Sequence, residues 1–300
     1  MENIIKYFYN INVINIRQNS KIIFVEDETN LYAFLNCDNY IENIEEIYKL
    51  NKYLIYNNIY MYEIIENKFN EIMTINENHR FVLIKIDDNY NKKIDINMIY
   101  NFQYKIYNEF NLKVNDWKML WMNKIDYYEY HISTNGLKYL ILKDSISYFI
   151  GMSENAISAL DQIENNDLYI QHRRITCNST HFDFYNPLNI IIDTRVRDLC
   201  EYYKSCIIYK SEYSENIIDI IRNINYTVNE YLLFYIRMLF PTYYFDMYEK
   251  VVSMDEEEKS IYRIINKIDY YYLFLQETYT KISKFVILPN IYWINKKNIL

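Results

Sequence analysis

The sequence predicts an α+β protein of two lobes, a small mixed lobe followed by a larger, mainly helical one. Strand-like and helix-like patterns alternate over the first 86 residues, whereas helical periodicity dominates from residue 96 onward. A charged and polar stretch at 87–95 separates the two patterns and is typical of a hinge. A chain of 300 residues is long enough for two such lobes. We therefore predict one lobe over 1–93 and the other over 94–300.

The small lobe is predicted to be an antiparallel sheet with one helix. Apolar residues alternate over 12–37, and turn-forming residues at 18–20 and 27–29 divide this stretch into three strands. Apolar residues recur at helical spacing over 40–58, which predicts the helix. Further strands are predicted at 59–65, 71–75 and 80–86.

The larger lobe is predicted to begin with helices and one β-hairpin. The stretch 117–133 starts with a helical pattern and ends in an extended one, and Asn135-Gly136 after it is a strong signal for a two-residue hairpin. A long buried helix is predicted at 145–163. Gly151 inside it costs about 1 kcal/mol relative to alanine, so we expect another segment to pack closely against this position.

The remainder of the larger lobe is predicted to be helical apart from one short extended segment at 188–192. Asp193 or Thr194 is positioned to cap the helix that follows, at 195–208. Further helices are predicted at 96–110, 214–224, 226–239, 242–252 and 257–284.

Composition and charge exclude several classes of protein. The net charge of −8 and the absence of an evident basic face argue against a nucleic-acid partner. The four cysteines form no CxxC pair, which is typical of free thiols in a reducing compartment. No apolar run is long enough for a membrane span, and the first residues lack the pattern of a secretory signal. We therefore expect a protein that is made inside the cell, and the sequence predicts no oligomeric state.

Glycine is the most informative residue type in the composition, because the chain contains only two, Gly136 and Gly151. Loops that bind nucleotide phosphates need several glycines so that backbone N–H groups can approach the phosphates. Neither a P-loop nor a glycine-rich kinase loop is therefore present in this sequence.

The stretch "YIQHRRITC" is the candidate functional loop, which we place at 168–176. It follows the long predicted helix and precedes "RDLCEYY", and this is where kinase-like proteins keep a catalytic loop with a His-x-Asp or His-Arg-Asp sequence. Here the three positions are His172, Arg173 and Arg174. Together with the order of the two lobes, this loop favours a two-lobed, protein-kinase-like fold.

Several motifs of the larger lobe resemble one family. "WKMLWMNKIDYYEY", "SYFIGMSENAISAL", "HRRI", "RDLCEYY", "YIRMLFPTYYFDMYE" and "LPNIYW" occur in the order seen in the bacterial spore-coat kinase-like proteins of the CotS/YutH type. The resemblance runs from about Trp117 to Trp293, and the first hundred residues match only in layout. That family is similar to a branch of the aminoglycoside and choline phosphotransferases. The resemblance thus implies the aminoglycoside phosphotransferase-like fold, a place in the spore coat after synthesis in the mother cell, and other coat proteins as partners.

The resemblance also assigns roles to the loop residues. His172 matches the structural histidine of the kinase-like loop, and Arg174 occupies the position of the catalytic Asp. Arginine is permanently cationic and cannot accept a proton there. Asn178 lies near the place of the metal-binding Asn but in a different frame, and Asp193 and Asp183 are the two candidates for the metal-binding Asp.

The same residues have structural interpretations. His172 is expected to bond to backbone carbonyl groups, and Arg173 or Arg174 either faces solvent or pairs with Asp198 and so holds the loop to the following helix. Zinc is not expected, because the spacing of His172, Cys177 and His181 fits no common zinc pattern.

The sequence therefore predicts a catalytically degenerate kinase-like protein, because the phosphate loop, the lysine of the third strand and the catalytic Asp are all missing. No cofactor is expected. Two alternatives stay open: an atypical small-molecule phosphotransferase, which would need ATP and Mg²⁺, and a pseudokinase that binds a nucleotide or metabolite.

Overall fold

The computed structural model describes residues 2–19, 22–106, 110–163, 167–210, 225–291 and 294. The chain forms two compact units. The first comprises Met1–Asp95, Ile106–Lys113 and Ile170–Ile192, and the second comprises Ile96–Lys105, Val114–Tyr169 and Asp193–Leu300.

The first unit is built on an antiparallel sheet, as predicted. Its strands are β1 (Asn15–Asn19), β2 (Ile22–Glu26), β3 (Leu31–Asn36), β4 (Glu63–Ile65), β5 (Thr74–Asn76) and β6 (His79–Ile86). They pair in the order β1-β2-β3-β6-β4, and β5 also pairs with β6. The three strands predicted within 12–37 are confirmed, because turn residues divide an alternating pattern there.

A helix covers each face of this sheet, because alternate residues of a strand point to opposite faces. Val25 and Phe34 pack on one side, together with Ile5 of α1 (Glu2–Tyr9). Ala33 and Leu35 pack on the other side, together with Ile47 of α2 (Ile44–Tyr56). Helix α2 was predicted, whereas α1 was not.

The segment 170–192 completes the first unit beneath the α2 face of the sheet. Strand β7 (Tyr169–His172) pairs with β8 (Ile190–Asp193), and the short helix α6 (His181–Tyr185) lies between them in the chain. Phe182 of α6 packs against Phe24, with the ring centroids 5.8 Å apart. This contact ties the loop after β7 to the sheet.

The second unit is helical in its described parts. Its helices are α3 (Ile96–Asn101), α4 (Trp117–Asn135), α5 (Leu140–Leu160), α7 (Arg197–Ser205), α8 (Val228–Leu239), α9 (Thr242–Val252), α10 (Tyr262–Ile265) and α11 (Ile268–Ile282). A π-helical turn, Cys206–Lys210, follows α7. The helix predicted at 214–224 lies outside the described residues. Among the described residues, no helix has the length and hydropathy that a bilayer span requires.

The predicted hairpin at Asn135-Gly136 is wrong. Helix α4 continues to Asn135 and α5 begins at Leu140. Gly136 has φ −61° and ψ −21°, the right-handed helical region, so it does not use the positive φ that a type I′ turn requires. The side chain of Glu258 instead accepts hydrogen bonds from the backbone N–H groups of Ile141 and Leu142 and so caps the start of α5.

The predicted close packing at Gly151 is also wrong. A Cβ placed on Gly151 would meet no atom within 4 Å outside its own helix. The side chain of Asn155 donates a hydrogen bond of 2.6 Å to the Gly151 carbonyl from the next turn of α5. The position thus tolerates a side chain, and this glycine does not mark a helix contact.

Candidate functional site

The first unit contains a cavity of about 510 Å³ beside the predicted functional loop. The sheet side is formed by the start of β2, the end of β3 and Tyr40 in the 3₁₀ turn Asp38–Asn43 that precedes α2. The loop side is formed by residues that follow β7. The lining residues are Ile22, Leu35, Asn36, Tyr40, Arg174, Thr176, Asn178, Ser179, Phe182, Asp183, Asn186, Leu188 and Asn189.

Leu35 occupies the part of this cavity that the third strand provides. It lies on the same face of β3 as Ala33, in the core beneath the sheet. In protein kinases the third strand carries a lysine that contacts the nucleotide phosphates. Here an aliphatic side chain from that strand lines the cavity, as expected from the absence of lysine in "LYAFLNC".

Arg174 is half-buried and lines the cavity, whereas Arg173 is exposed beside it. The backbone N–H of Arg173 donates to the carbonyl of Asn189 at 2.7 Å, and its Nε donates to the carbonyl of Leu188 at 3.3 Å. The Arg173 guanidinium also lies 4.8 Å from the ring centroid of Tyr40. The loop is therefore held by backbone and ring contacts of Arg173, while Arg174 is directed to the cavity.

His172 is fully buried at the end of β7. Its Nε2 lies 2.8 Å from the carbonyl oxygen of Phe184, and the His172 and Phe184 rings are 4.5 Å apart. This geometry joins β7 to α6. It is the backbone contact that we expected of a structural histidine.

Asp183 lines the cavity, and its carboxylate also caps the start of α6. Its Oδ2 accepts hydrogen bonds from the backbone N–H of Thr180 at 2.7 Å and from the Thr180 hydroxyl at 3.2 Å. These contacts form a capping box at the start of α6. The side chain of Asn189 donates to the Asp183 carbonyl at 2.7 Å, which fixes the same turn from the other side.

Asp193, the other candidate for a metal-binding acid, is 2% exposed and lies in the second unit. Its Oδ2 accepts from the indole Nε1 of Trp117 at 2.8 Å and from Arg197 at 3.1 Å. Its Oδ1 accepts from Arg237 at 2.8 Å and from the backbone N–H of Thr194 at 2.7 Å. Both carboxylate oxygens are thus engaged by cationic groups and other donors.

The two arginines that hold Asp193 are themselves buried against one indole ring. The guanidinium carbons of Arg197 and Arg237 lie 4.5 Å and 4.7 Å from a ring centroid of Trp117. Burial lowers the pKa of Arg197, but arginine stays cationic in proteins. The prediction that Asp193 or Thr194 caps the next helix is wrong, because α7 begins after Val196 and the Asp193 carboxylate faces these side chains instead.

A second ion pair lies next to this cluster in the chain. Arg195 donates to both oxygens of Glu230, and its Nη2–Oε2 distance is 2.6 Å. Glu230 also accepts from the backbone and hydroxyl groups of Thr227, which caps α8. The Arg195 guanidinium lies 4.6 Å from the ring centroid of Tyr226. The start of α7 and the start of α8 are therefore joined by charge-assisted hydrogen bonds.

Asp198 lies in the first turn of α7 and is 2% exposed. Its pairing with Arg173 or Arg174 stays a prediction. Among the residues that the structure describes, no group of three or more His, Cys, Asp or Glu side chains converges on a common point.

A model of one protein family matches residues 2–278 of the chain, and that family is described as "Spore coat putative kinase YutH". The chain belongs to this family. The endospore coat-associated protein YutH of Bacillus subtilis is 24% identical over 212 residues. That alignment covers 61% of this chain and 62% of the relative, so the matched part is less than two thirds of the relative's length.

Solved structures of phosphotransferases share the fold of this member of the YutH family. An aminoglycoside phosphotransferase from Alicyclobacillus acidocaldarius superposes with a TM-score of 0.72 at 8% identity, over 95% of this chain and 96% of that one. A choline kinase from Streptococcus pneumoniae gives a TM-score of 0.53 at 9% identity, over 90% and 96% of the two chains. These likenesses establish the kinase-like fold that the sequence predicted.

Sequence reasoning identified the loop of this YutH-family protein but missed the partners of Asp193. Arg197 follows Asp193 by four residues, and Arg237 lies within "YIRML", an apolar stretch of α8. A charged residue inside a buried apolar helix signals a paired charge, because unpaired charges are rarely buried. That signal shows that Arg237 needs a partner, but it does not show which acid provides it.

Proposed function

We propose that this protein is a kinase-like component of the spore coat that does not transfer phosphate and acts through its shape. The observation that carries the proposal is the environment of Asp193. Its two oxygens are bonded to Arg197, Arg237 and Trp117 in the interior of the second unit.

The donor set around Asp193 does not fit a magnesium nucleotide. Mg²⁺ binds anionic and neutral oxygen ligands in nearly octahedral geometry. At Asp193 a metal ion would have to displace two buried guanidinium groups, each of which would then lose its carboxylate partner. Removing the carboxylate partner of a buried cation costs several kcal/mol.

The cavity of the first unit supports the same proposal by independent physical arguments. Arg174 lines the cavity at the position that the resemblance assigns to a proton acceptor, and Leu35 lines it from the strand that should supply a lysine. The chain has two glycines, which leaves no sequence for a glycine-rich phosphate loop. The residue types that transfer the proton, neutralise the phosphate charge and bind the phosphates are therefore each missing from the positions where a kinase has them.

A second candidate function is the binding of a nucleotide or metabolite without chemistry. The cavity of about 510 Å³ favours this candidate, since its size is that of a small-molecule site and polar side chains form much of its lining. An atypical phosphotransferase is the third candidate. It would require a metal site and a base formed by residues other than Asp193 and Arg174.

A biochemical experiment separates these candidates. The purified protein is incubated with ATP and Mg²⁺, with an active aminoglycoside phosphotransferase assayed in parallel, and its thermal unfolding is measured with and without the nucleotide. We expect no hydrolysis and no shift. A ligand at a hundred times its Kd would stabilise the fold by about 2.7 kcal/mol, so a Mg²⁺-dependent shift of that size would support nucleotide binding instead. Turnover that Asp193→Ala abolishes would support the phosphotransferase.

The proposed location of the protein in the spore coat is tested by a separate experiment. The name of the Bacillus subtilis relative associates that protein with the endospore coat, and we propose the same location, with other coat proteins as partners. The chain should be recovered with the coat fraction of purified spores, as detected by mass spectrometry. Recovery only from the cytoplasm of the mother cell would contradict this part of the proposal.

A further inference from the structure

The second unit contains a larger cavity that the kinase-like resemblance does not explain. It has a volume of about 700 Å³, within the range of small-molecule sites in proteins. The first ten residues of α5 form one wall, and α10 and the start of α11 form the other. It shares no lining residue with the cavity around Arg174.

The inner wall of this cavity is fixed by contacts with α9. The hydroxyl groups of Ser145 and Tyr244 are 2.8 Å apart, and the ring of Phe149 stacks on Tyr244 with centroids 3.7 Å apart. Tyr244 is itself fully buried. These contacts hold α5 against α9 and so fix the position of this wall.

Aromatic and aliphatic side chains form most of the lining. The rings of Tyr148, Phe149, Tyr262 and Tyr272 contribute, together with Ile141, Ile265 and Ile268. Tyr148 and Tyr262 are each 44% exposed, so the aromatic surface is open to an incoming ligand. Such a lining fits an apolar or aromatic molecular body, and tyrosine rings also attract cations.

The charged groups of the cavity all have the same sign. Asp144 and Asp269 contribute two carboxylates, and none of the lining residues is basic. Within the described residues, neither carboxylate forms an ion pair or accepts a hydrogen bond. Burial raises the pKa of the Tyr148 hydroxyl to about 12, with further contributions from Tyr272 and Asp269, so this hydroxyl stays neutral near the acids.

We propose that this cavity binds a small molecule that joins an apolar or aromatic body to a protonated amine. The body would contact the rings and the isoleucines, and the amine would lie between Asp144 and Asp269. The proposal does not depend on the absence of phosphoryl transfer, since it concerns different residues.

Three probes of similar size and different charge test the proposal: 2-phenylethylamine, 2-phenylethanol and 3-phenylpropanoate. Binding is measured by calorimetric titration and by saturation-transfer NMR. We expect the amine to bind about threefold to tenfold more tightly than the alcohol, and the carboxylate to bind most weakly, because exposed charge pairs contribute modestly. Raising the salt from about 0.05 M to about 0.5 M should reduce the preference for the amine, since screening shortens the range of exposed charges.

Matched variants assign the effect to the cavity. Asp144→Asn and Asp269→Asn should each weaken the amine about twofold to fivefold and leave the alcohol unchanged. Asp126→Asn, at a position on α4 that is also exposed but lies outside the cavity, should change the binding of neither probe. Tyr262→Ala should weaken both. Equal binding of the amine and the alcohol, no saturable binding of the amine, or unchanged amine binding in both cavity variants would overturn the proposal.

Discussion

The cluster around Asp193 and the loop around Arg174 both contain charged side chains, but in very different surroundings. Asp193 is 2% exposed and shares its carboxylate with Arg197 and Arg237, which are 8% and 3% exposed. Arg174 is half-buried and lines a cavity. The resemblance assigned both positions to kinase chemistry, but the fold uses the first as part of its interior and leaves the second near solvent.

Burial decides how much each charged side chain contributes to the stability of the fold. A charge in the interior has lost its hydration and depends on its partners, so the removal of one partner is costly. A charge near solvent keeps most of its hydration and is screened by salt, so its pairing contributes little. The comparison therefore predicts a graded series of effects on stability.

Asp193→Ala should have the largest effect. The substitution leaves Arg197 and Arg237 buried without their carboxylate, and we expect a loss of about 3–5 kcal/mol in the free energy of unfolding. Urea denaturation followed by circular dichroism measures it. Asp193→Asn keeps the side-chain shape and one acceptor oxygen, so it should cost less. A loss below about 1 kcal/mol in the alanine variant would mean that the cluster is hydrated or rearranges.

A combined variant sharpens this test. Replacing Asp193, Arg197 and Arg237 together by Leu, Met and Met removes all three charges at once. Since buried ion pairs are often replaceable by apolar residues of similar volume, we expect this variant to recover most of the stability that Asp193→Ala loses. Failure to recover would show that the cluster stabilises the fold by its hydrogen bonds, including the one from Trp117.

His172→Ala should have an intermediate effect. It leaves the Phe184 carbonyl without its 2.8 Å contact to the imidazole and opens space beside the Phe184 ring. The expected loss is about 2–3 kcal/mol, because a buried hydrogen bond is lost and a small cavity is left. His79→Ala, at an exposed histidine that contacts Asp38, is the matched control and should cost much less. Similar losses for the two variants would contradict the structural role of His172.

Arg174→Ala should cost at most about 1 kcal/mol, because the residue is half-buried at a cavity. The melting temperature should fall slightly, and there should be no activity to lose. Arg174→Asp should not create phosphoryl transfer, since Leu35 and the lack of a glycine-rich loop are unchanged. Arg17→Ala, on the exposed strand β1, is the control for stability. Mg²⁺-dependent transfer in Arg174→Asp would refute the proposed function.

The parts of the fold that local patterns determine were predicted well. Strands β1 to β3 follow from alternation interrupted by turn residues, and α9 follows from helical spacing after Pro241. Helix α1 was missed although Ile4, Ile5 and Phe8 have helical spacing, because the segment is only eight residues long. The hairpin at Asn135-Gly136 failed because the tertiary cap from Glu258 favours a second helix over the local turn signal.

The candidate functional site and the second cavity show the same difference between local sequence signals and tertiary contacts. The position of the loop and the missing lysine of β3 could be predicted from residue order. The arginine partners of Asp193 could not, because Arg237 follows Asp193 by 44 residues and only the packing of α7 on α8 brings them together. The cavity beside α5 was missed for the same reason, since its walls come from parts of the chain more than a hundred residues apart.

The smallest effect is a pH dependence at His131, which lies at an intermediate depth on α4. Its Nδ1 is 2.6 Å from the hydroxyl of the buried Tyr248, and burial, followed by the charge of Lys138, lowers the pKa of His131. A neutral imidazole can accept a hydrogen bond from that hydroxyl, whereas a protonated ring cannot.

The sign of this pH dependence follows from the lowered pKa. The unfolded chain binds a proton at His131 near its ordinary value of 6.5, and the folded protein binds it only at lower pH. The contribution to stability is therefore complete above about pH 6.5 and is lost as the pH falls through the lower, folded value. Because His131 is only partly buried, the melting temperature should fall only slightly between about pH 7.5 and pH 5.

Two variants locate this pH effect. His131→Gln should flatten the dependence of the melting temperature on pH, and His181→Gln should also remove part of it, since burial lowers the pKa of both histidines. Asp38 and Asp27 should contribute little in this window, because hydrogen bonds lower the pKa of Asp38 to about 2 and that of Asp27 is also lowered. If the melting temperature still changes with pH in the variant that carries both His131→Gln and His181→Gln, another group titrates. If the pH dependence is lost in His131→Gln alone, this histidine links α4 to Tyr248 only while it is neutral.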